Sequence, residues 1–274
     1  MANRRITIIG GGNLGGAIAR GLIASNAAAP NTITVTRRSD AGLAPFRSEG
    51  FQTMTDNATA VSDASIVLIA VRPKQVNAVL DAIAPVIDSA VHTVISTATD
   101  VRIADIRQHL PQAVPVIRAM PNIGVSVGES MTCLACENHA TEESKQAAAA
   151  VFAPLGRTQY IDESQMTPAT ALCACGIAFF LRAIRAASQG GVQVGFHADE
   201  AIRLAAQTAK GAAELILSRD AHPESLIDTV TTPLGVTIAG LNEMEHQGFS
   251  SALIRGIVES AEKARKLYKK EVGE

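Results

Sequence analysis

The chain has 274 residues, of which 47% are hydrophobic, and it carries a formal net charge of -2 at pH 7. This length is ample for one large domain or two ordinary ones. Because there is no basic excess, no tryptophan and few other aromatic residues, we expect a small molecule as partner, and neither nucleic acid nor a membrane surface. The first apolar run stops at Gly10, far short of a signal-peptide core or a membrane span, which favours a cytoplasmic protein.

The first predicted strand, residues 5–9, runs into a glycine loop and leaves it as a helix. Gly10 would make the tight turn, Gly12 would let the backbone approach a pyrophosphate, and Gly15 would let the helix pack closely on the strand. Apolar residues recur at helical spacing over residues 14–22, so the pattern has the strand–turn–helix context of a dinucleotide-binding unit. A glycine-rich turn without a ligand is the alternative interpretation.

The second predicted strand, residues 32–36, is followed by Arg37, Arg38 and Ser39. An acidic residue at this point is typical of proteins that bind a free ribose 2′-hydroxyl, whereas a 2′-phosphate needs an arginine and small hydroxyl donors. Guanidinium groups match phosphate oxygens in charge and geometry, so the pattern favours the dinucleotide that carries a 2′-phosphate. The alternative is a pair of solvated surface arginines.

Strands and helices alternate as far as residue 161. The third predicted strand, residues 64–71, is almost wholly apolar, as a strand covered on both faces must be, and it ends at Arg72-Pro73. Further strands are predicted at residues 91–96, 114–118, 131–136 and 158–161, and helices at 76–83, 103–110 and 142–152. The alternation predicts a doubly wound parallel sheet of the α/β class.

The character of the sequence changes at residue 162, after which long alanine-rich stretches have helical spacing and no convincing strand follows. Helices are predicted around residues 172–184, 198–217 and 250–268. A helical layer with so few large side chains would pack poorly alone, so we interpret it as an oligomerisation domain. The predicted domains are therefore a dinucleotide-binding domain at 1–161 and a helical domain at 162–274.

Four cysteines lie in two close pairs, Cys133 with Cys136 and Cys173 with Cys175. Their apolar surroundings predict reduced, buried thiols. His139 gives the first pair a metal-like spacing, but no second Cys/His pair completes a tetrahedral site, so no metal is expected. Cys173 and Cys175 are two residues apart on a predicted helix and point away from each other, which excludes a disulfide between them.

Five stretches of the chain resemble, in order, the pyrroline-5-carboxylate reductase family, whose members complete proline biosynthesis by reducing a cyclic imine with NADPH. These stretches are residues 9–15 (IGGGNLG), 70–75 (AVRPKQ), 117–122 (IRAMPN), 207–213 (QTAKGAA) and 230–241 (VTTPLGVTIAGL). The last stretch is the most specific, and the resemblance covers essentially the whole chain. It implies a Rossmann-type doubly wound sheet followed by an all-helical C-terminal domain for dimerisation and substrate binding.

The resemblance also implies where the cofactor binds. The phosphates would lie against the glycine loop, and the nicotinamide would lie near the residue after the fifth predicted strand. The implied cofactor-binding residues are Gly10, Gly12, Asn13, Leu14, Gly15, Arg37, Arg38, Ser39, Asn57, Val71, Arg72, Pro73 and, at the nicotinamide, Asn122. The expected cofactor is NADPH, with NADH as a weaker substitute.

The family's substrate loop corresponds to residues 232–237. The implied substrate-binding residues are Thr232, Gly235, Val236, Thr237 and Cys175. Backbone N–H groups at the start of a helix would bind the imine's carboxylate, and the Thr237 hydroxyl would hydrogen-bond the imine nitrogen, which makes Thr237 the implied catalytic residue. Threonine is a poor general acid, so Thr237 would orient the imine or relay a proton from water. An ordinary helix N-cap is the alternative role of Thr237.

Several positions depart from the family's pattern. Leu234 stands where glycine is usual, and its Cβ disfavours a left-handed backbone, so we expect a reshaped loop. Cys173 and Cys175 stand where the family has serines. Ile177 stands in place of a proline, and Phe179 in place of a tyrosine. The pocket is therefore less polar than the family's pattern implies.

The expected function is reduction of 1-pyrroline-5-carboxylate to L-proline by a homodimer or higher oligomer. The alternatives are a reductase of another cyclic imine and a non-catalytic NADPH-binding regulatory protein.

Overall fold

An eight-stranded sheet is the largest element of the computed structural model, which describes residues 4–137 and 140–271. Its strands are β1 (Ile6–Ile9), β2 (Ile33–Thr36), β3 (Gln52–Met54), β4 (Ile66–Ile69), β5 (Thr93–Ser96), β6 (Val116–Met120), β7 (Ser130–Cys136) and β8 (Gly156–Tyr160). The strand order β3-β2-β1-β4-β5-β6-β7-β8 places β1 between β2 and β4. The winding of the sheet therefore reverses between β1 and β4, at the topological switch point of a doubly wound fold.

Strand β7 runs against its neighbour β6, whereas all other neighbouring strands in the described sheet are parallel. A short 3-10 turn, Ile123–Val127, lies between β6 and β7. A parallel pair would need a crossover of about a dozen or more residues, so this connection permits an antiparallel pair alone. The predicted parallel sheet is therefore wrong at β7.

The sequence patterns missed strand β3. The strand predicted third, residues 64–71, is consequently the fourth in the sheet, and Asn122 follows the sixth strand instead of the fifth. Strand β3 has three residues, of which the first is exposed and none is fully buried. It lacks the apolar run by which the other strands were predicted.

Helices cover both faces of the sheet. They are α1 (Asn13–Ala24), α2 (Ala44–Ser48), α3 (Asn57–Ser62), α4 (Val76–Ile83), α5 (Ile103–Arg107) and α6 (Glu142–Phe152). Ile8 of β1 belongs to a buried cluster with Ile18 of α1 and Phe152 of α6. The next residue, Ile9, belongs to a second cluster with Leu80 of α4. Because successive strand residues alternate between two covered faces, β1 and β4 are buried along their whole length.

The described chain is helical after β8, which confirms the predicted all-helical second half. Its helices are α7 (Met166–Ala169), α8 (Gly176–Gln193), α9 (Ala198–Arg219), α10 (Pro223–Thr229), α11 (Val236–His246) and α12 (Phe249–Glu271). The turn Thr170–Cys175, between α7 and α8, is π-helical. The sequence patterns predicted an ordinary helix here.

The chain divides into two compact units. The first contains the described residues up to Cys175 and those from Ser260 onward, and the second is Gly176–Glu259. Within the second unit, α8 and α9 approach closely at small residues, since a Cβ on Gly191 would lie 3.1 Å from the Cβ of Ala201. The predicted domain boundary between residues 161 and 162 stays a prediction.

The second unit exposes many large apolar side chains in the single chain. They include Phe180, Leu181, Val194, Phe196, Leu204, Val230, Leu234, Val236 and Ile254. The helical stretch Glu163–Gln193 has the length and mean hydropathy (1.6) of a membrane span, with 22% of its most apolar window buried. The resemblance to a membrane span rests on length and composition alone. An apolar helix that is covered by a second copy of the chain has the same length and composition.

Candidate active site

The glycine loop lies where the ends of β1 and β4 meet. Gly10 has a φ of +107°, and a Cβ on it would lie 2.6 Å from the carbonyl oxygen of Ala70, just after β4. A Cβ on Gly15 would lie 2.2 Å from the carbonyl oxygen of Gly10. Both positions therefore require glycine, one for the turn and one for the close packing of helix on strand. These are the structural roles that the sequence predicts for them.

The first turn of α1 has the features of an anion-binding position. Its N-cap is Gly12, no side-chain cap bonds to its amides, and it holds no acidic residue. Apart from Gly12 and its two chain neighbours, no described residue has an atom within 4 Å of a Cβ built on Gly12, so a ligand has room to approach the backbone. Amides at the start of a helix, together with the positive end of its dipole, favour negatively charged groups.

A cavity of about 880 Å³ opens at this edge of the sheet. The predicted cofactor residues that line it are Gly10, Gly12, Arg37, Arg38, Ser39, Asn57, Val71 and Arg72. The other predicted cofactor residues, Asn13, Leu14, Gly15, Pro73 and Asn122, lie outside this lining. Asn13 lines a neighbouring cavity of about 550 Å³ that shares Gly11, Gly12 and Arg37 with the first.

The larger cavity is positively charged. Arg37, Arg38, Arg72 and Lys74 line it, and none of them forms an ion pair within the part of the chain that the structure describes. Clustered, unpaired cations attract phosphate groups. Sequence reasoning missed Lys74, although it belongs to the AVRPKQ stretch and so carried a usable signal.

Thr36, at the end of β2, links three segments around this cavity, and sequence reasoning gave it no role. Its carbonyl oxygen accepts hydrogen bonds from the amides of Gly10 (3.2 Å) and Gly11 (2.9 Å). Its hydroxyl donates to Oδ1 of Asn57 (2.7 Å), the first residue of α3. Thr36 therefore fixes the glycine loop and the Asn57 side chain relative to each other.

Asn122 follows β6 and lies beside the π-helical turn. Its Oδ1 accepts a hydrogen bond from the amide of Gly124 (2.8 Å), and its Nδ2 donates to the carbonyl oxygen of Cys173 (3.1 Å). Cys175, a predicted substrate residue, belongs to the same turn and is half-buried. The structure thus brings together Asn122 and the cysteine-containing turn.

The cysteines are less uniform than predicted. All four are free thiols, but Cys133 alone is fully buried, while Cys136, Cys173 and Cys175 are half-buried. No group of three His, Cys, Asp or Glu residues in the described ranges could hold a metal, and His139 lies outside those ranges. Sequence reasoning weighed Cys133 with Cys136 and His139, whereas the structure sets its Sγ 3.9 Å from the Sγ of Cys173.

The predicted substrate loop lies in the second unit and forms a tight turn. The amide of Gly235 donates to the carbonyl oxygen of Thr232 (2.9 Å), and a Cβ on Gly235 would lie 2.6 Å from the Thr232 Oγ1. Proline at the second position and a positive φ at the third are typical of a type II turn, and Leu234 has a φ of +59°. The expectation that Leu234 reshapes the loop is wrong, because the leucine adopts the left-handed conformation itself.

Helix α11 begins directly after this turn, with Gly235 as its N-cap and no side-chain cap on its amides. Thr237 is therefore the second helical residue, and the alternative of an ordinary N-cap role is wrong. Its side chain is exposed. The loop thus presents uncapped amides and an exposed hydroxyl next to each other.

Two family models match the chain. Pyrroline-5-carboxylate reductase dimerisation matches residues 163–267, and NADP oxidoreductase coenzyme F420-dependent matches residues 5–100. The first covers most of the helical part of the chain, and the second covers the glycine loop, the two arginines and β4. The model that matches the helical part is named for dimerisation. Self-association therefore explains why this part of the single chain exposes so many apolar side chains.

Named relatives match nearly the whole chain. Pyrroline-5-carboxylate reductase 1 of Dictyostelium discoideum is 49% identical over 96% of this chain, which spans 50% of that relative's length. Pyrroline-5-carboxylate reductase 2 of the same organism is 45% identical over 96% of this chain and 93% of its own length. A solved pyrroline-5-carboxylate reductase from Coxiella burnetii, 30% identical, matches with a TM-score of 0.88 over 96% of this chain and 98% of its own.

A second solved structure, Plasmodium falciparum pyrroline carboxylate reductase with NADP bound, shares the fold. Its TM-score is 0.86 over 98% of this chain and 99% of that one, at 23% identity. The fold predicted from the sequence is therefore confirmed along both halves of the chain. From the full-length match to a 45% identical relative, this chain belongs to the pyrroline-5-carboxylate reductase family.

Proposed function

We propose that this chain reduces 1-pyrroline-5-carboxylate to L-proline with NADPH as the electron donor. The observation that carries the proposal is the positively charged cavity at the switch point of the sheet, in a chain 45% identical to a named reductase across 93% of that relative's length. The names of the relatives support the substrate. The NADP oxidoreductase model and the NADP-bound structural neighbour support the cofactor.

The residues around the cavity fit a phosphorylated dinucleotide. The uncapped first turn of α1 would hold the pyrophosphate, while Arg37, Arg38 and Ser39 would hold the 2′-phosphate through charge-assisted hydrogen bonds. The proposed nucleotide contacts also include Asn13, Leu14, Asn57, Val71, Arg72 and Pro73, with Asn122 at the nicotinamide. When bound, the reduced nicotinamide supplies the hydride for the C=N carbon.

The turn before α11 is the proposed substrate site. The uncapped amides at Val236 and Thr237 would bind the imine's carboxylate, which the helix dipole also favours. The Thr237 hydroxyl would orient the imine nitrogen and relay a proton from water, because threonine is itself too weak an acid. Thr232, Gly235 and, from the π-helical turn, Cys175 are the remaining proposed contacts.

In this proposal, each half of the sequence has its own binding role. Residues 1–161 would bind the cofactor, and residues 162–274 would bind the substrate and form a homodimer. Burial of the exposed apolar side chains against a second copy supports the dimer, as does the dimerisation model over residues 163–267. We place the working enzyme in the cytoplasm, in line with its NADPH-dependent biosynthetic role.

The test is the oxidation of NADPH by purified protein on addition of racemic pyrroline-5-carboxylate, followed by absorbance. NADH and a six-membered cyclic imine carboxylate serve as controls. We expect turnover to be fastest with NADPH and the five-membered imine. Tight NADPH binding without turnover of that imine would refute the proposed substrate.

Variants at Thr237 test the proposed substrate site. Thr237→Val removes the hydroxyl but keeps the shape, and we expect kcat to fall about 100-fold, the size of a typical proton-transfer contribution. Thr237→Ser is the matched control, since it keeps the hydroxyl, and it should retain most of the activity. Equal activity of the two variants would remove Thr237 from the mechanism.

A further inference from the structure

Two cysteines from distant parts of the sequence meet beside Asn122. The Sγ atoms of Cys133, on β7, and Cys173, in the π-helical turn, are 3.9 Å apart. Both lie in an apolar cluster with Met120 and Met166. The proposed reduction uses neither thiol.

Other contacts hold the two sulfurs near each other. Cys133 is 5% exposed and pairs with Met120 across the antiparallel strands β6 and β7. The carbonyl oxygen of Cys173 accepts the hydrogen bond from Asn122 (3.1 Å). A disulfide needs a sulfur–sulfur distance of about 2.0 Å, so the two sulfurs must approach by roughly 2 Å to form one.

The surroundings also make one of the two thiols reactive. The two thiols share a hydrogen bond in which either sulfur can donate, and this contact with Cys133 lowers the pKa of Cys173 to about 7. The same hydrogen bond, together with burial, raises the pKa of Cys133. Cys173 is also the more exposed of the two. Because the thiolate is the nucleophile, Cys173 would react first with an oxidant and Cys133 would follow.

We propose that Cys133 and Cys173 are a redox modification site and form a reversible disulfide in response to hydrogen peroxide. The Cys173 thiolate attacks one peroxide oxygen, the O–O bond breaks, and a sulfenic acid forms while the leaving hydroxide takes up a proton to become water. The Cys133 sulfur then attacks the Cys173 sulfur. The S–S bond forms, the S–O bond breaks, and the second water leaves with the proton of Cys133. Two thiols are oxidised by two electrons, and the peroxide is reduced to two waters.

The disulfide would alter the site as well as cross-link it. It would draw Cys173 towards β7 and strain its hydrogen bond to Asn122, which holds the π-helical turn in place. We expect turnover to fall in the oxidised protein. This consequence rests on the proposed function, in which Asn122 lies at the nicotinamide, whereas formation of the cross-link does not.

The experiment treats the full-length protein with hydrogen peroxide, blocks the remaining thiols by alkylation and maps tryptic peptides by mass spectrometry. Trypsin releases residues 119–145 and 158–182 as two peptides, each with one proposed and one control cysteine. Cys136 is the matched control for Cys133, because it lies three residues along the same strand and faces the opposite side of the sheet. Cys175 is the control for Cys173 in the same turn.

We expect the two peptides to be cross-linked in the wild type, Cys136→Ala and Cys175→Ala, and separate in Cys133→Ala and Cys173→Ala. Dithiothreitol should release the cross-link. The number of free thiols in the oxidised wild type should fall from four to two, a measurement that needs no variant to fold. Sulfinic acid without a cross-link, a cross-link that survives Cys133→Ala, or a covalent dimer would each overturn the proposal.

Turnover is measured on the same samples. Peroxide should lower the turnover of the wild type and Cys136→Ala by at least about tenfold, since a shift of about 1 Å near reacting atoms can cost about 100-fold, and dithiothreitol should restore it. Cys133→Ala should keep its turnover in peroxide. A cross-link with unchanged turnover would overturn the effect on catalysis. Absence of turnover in the reduced wild type would instead refute the proposed function, and the peptide map would still decide the disulfide.

Discussion

The two compact units bury their apolar residues in opposite ways. In the unit that contains the sheet, all of Ile6–Ile9 and Ile66–Ile69 are buried by helices of the same chain. In Gly176–Glu259, only Gly176, Ser188 and Ala201 are buried. The comparison teaches that the cofactor half completes its own core, whereas the helical half needs a second copy of the chain to complete its core.

The largest effect should come from a charge on the exposed apolar surface of the helical unit. Phe180 is 59% exposed in the single chain, and we expect a second copy to cover it. Phe180→Asp would bury an unpaired carboxylate, so we expect a monomer, with turnover lowered by at least about 100-fold. Light scattering and NADPH oxidation measure the two effects. Phe180→Leu, which stays apolar, is the control, and a fully active Phe180→Asp monomer would break the comparison.

The second largest effect is expected in the unit that contains the sheet, from variants that test whether this unit alone determines the preference for NADPH over NADH. Arg37→Ala combined with Arg38→Ala removes the proposed contacts to the 2′-phosphate, and the KM for NADPH should rise about 10- to 100-fold. The KM for NADH should change little. Arg157→Ala removes an exposed charge on β8 and is the control. An equal rise for both cofactors would refute the assignment to the 2′-phosphate.

A smaller effect is expected from crowding the glycine loop. Gly15→Ala would set a Cβ 2.2 Å from the carbonyl oxygen of Gly10, a backbone atom that cannot move cheaply. We expect the free energy of unfolding to fall by about 1–3 kcal/mol and NADPH binding to weaken. Gly16→Ala is the matched control, because its Cβ meets side-chain atoms instead of backbone, the Phe46 ring at 3.1 Å and the Arg20 Nη1 at 3.3 Å. Thermal unfolding should separate the two variants, and equal stability would contradict this packing.

The smallest effect should come from the turn in the helical unit. Leu234 holds a φ of +59° with its side chain fully exposed, so the single chain gains nothing from the leucine to offset the strain. Leu234→Gly should raise the free energy of unfolding by about 0.5–1 kcal/mol, because the relief of backbone strain exceeds the added flexibility of the unfolded chain. Leu234→Ala keeps the Cβ and should not raise the free energy of unfolding. Chemical denaturation measures both variants, and equal stability of the two would contradict the strain at this position.

Local signals in the sequence predicted most of the fold. The helix predicted at 142–152 is α6, Glu142–Phe152, whose N-cap Thr141 accepts from the amide of Ser144. The direction of β7 was not predictable in this way, because it depends on which strand β7 meets and on the length of the turn between them. The exposed strand β3 exists through its pairing with β2, which apolar periodicity does not reveal.

The same distinction between local patterns and tertiary contacts applies to the candidate site. The positions of Arg37, Arg38 and Ser39 in the cavity lining followed from their place after β2, a local pattern. The contact between Cys133 and Cys173 joins residues 40 apart in the sequence, and it needs the tertiary fold and a π-helical turn to form. No periodicity or spacing rule brings two such segments together.

The antiparallel step from β6 to β7 also bears on the order in which the sheet forms. Met120 pairs with Cys133 across it, while Ile9 pairs with the much more distant Ile69, and no other neighbouring strands in the described sheet have so short a connection. Closing a short loop costs little conformational entropy, and local pairings form fastest. We expect pulse-labelled hydrogen exchange to detect early protection on β6 and β7 during refolding. The pair of strands β6 and β7, next to Asn122, would then form the folding nucleus, and the strands that line the cofactor cavity would add to it later.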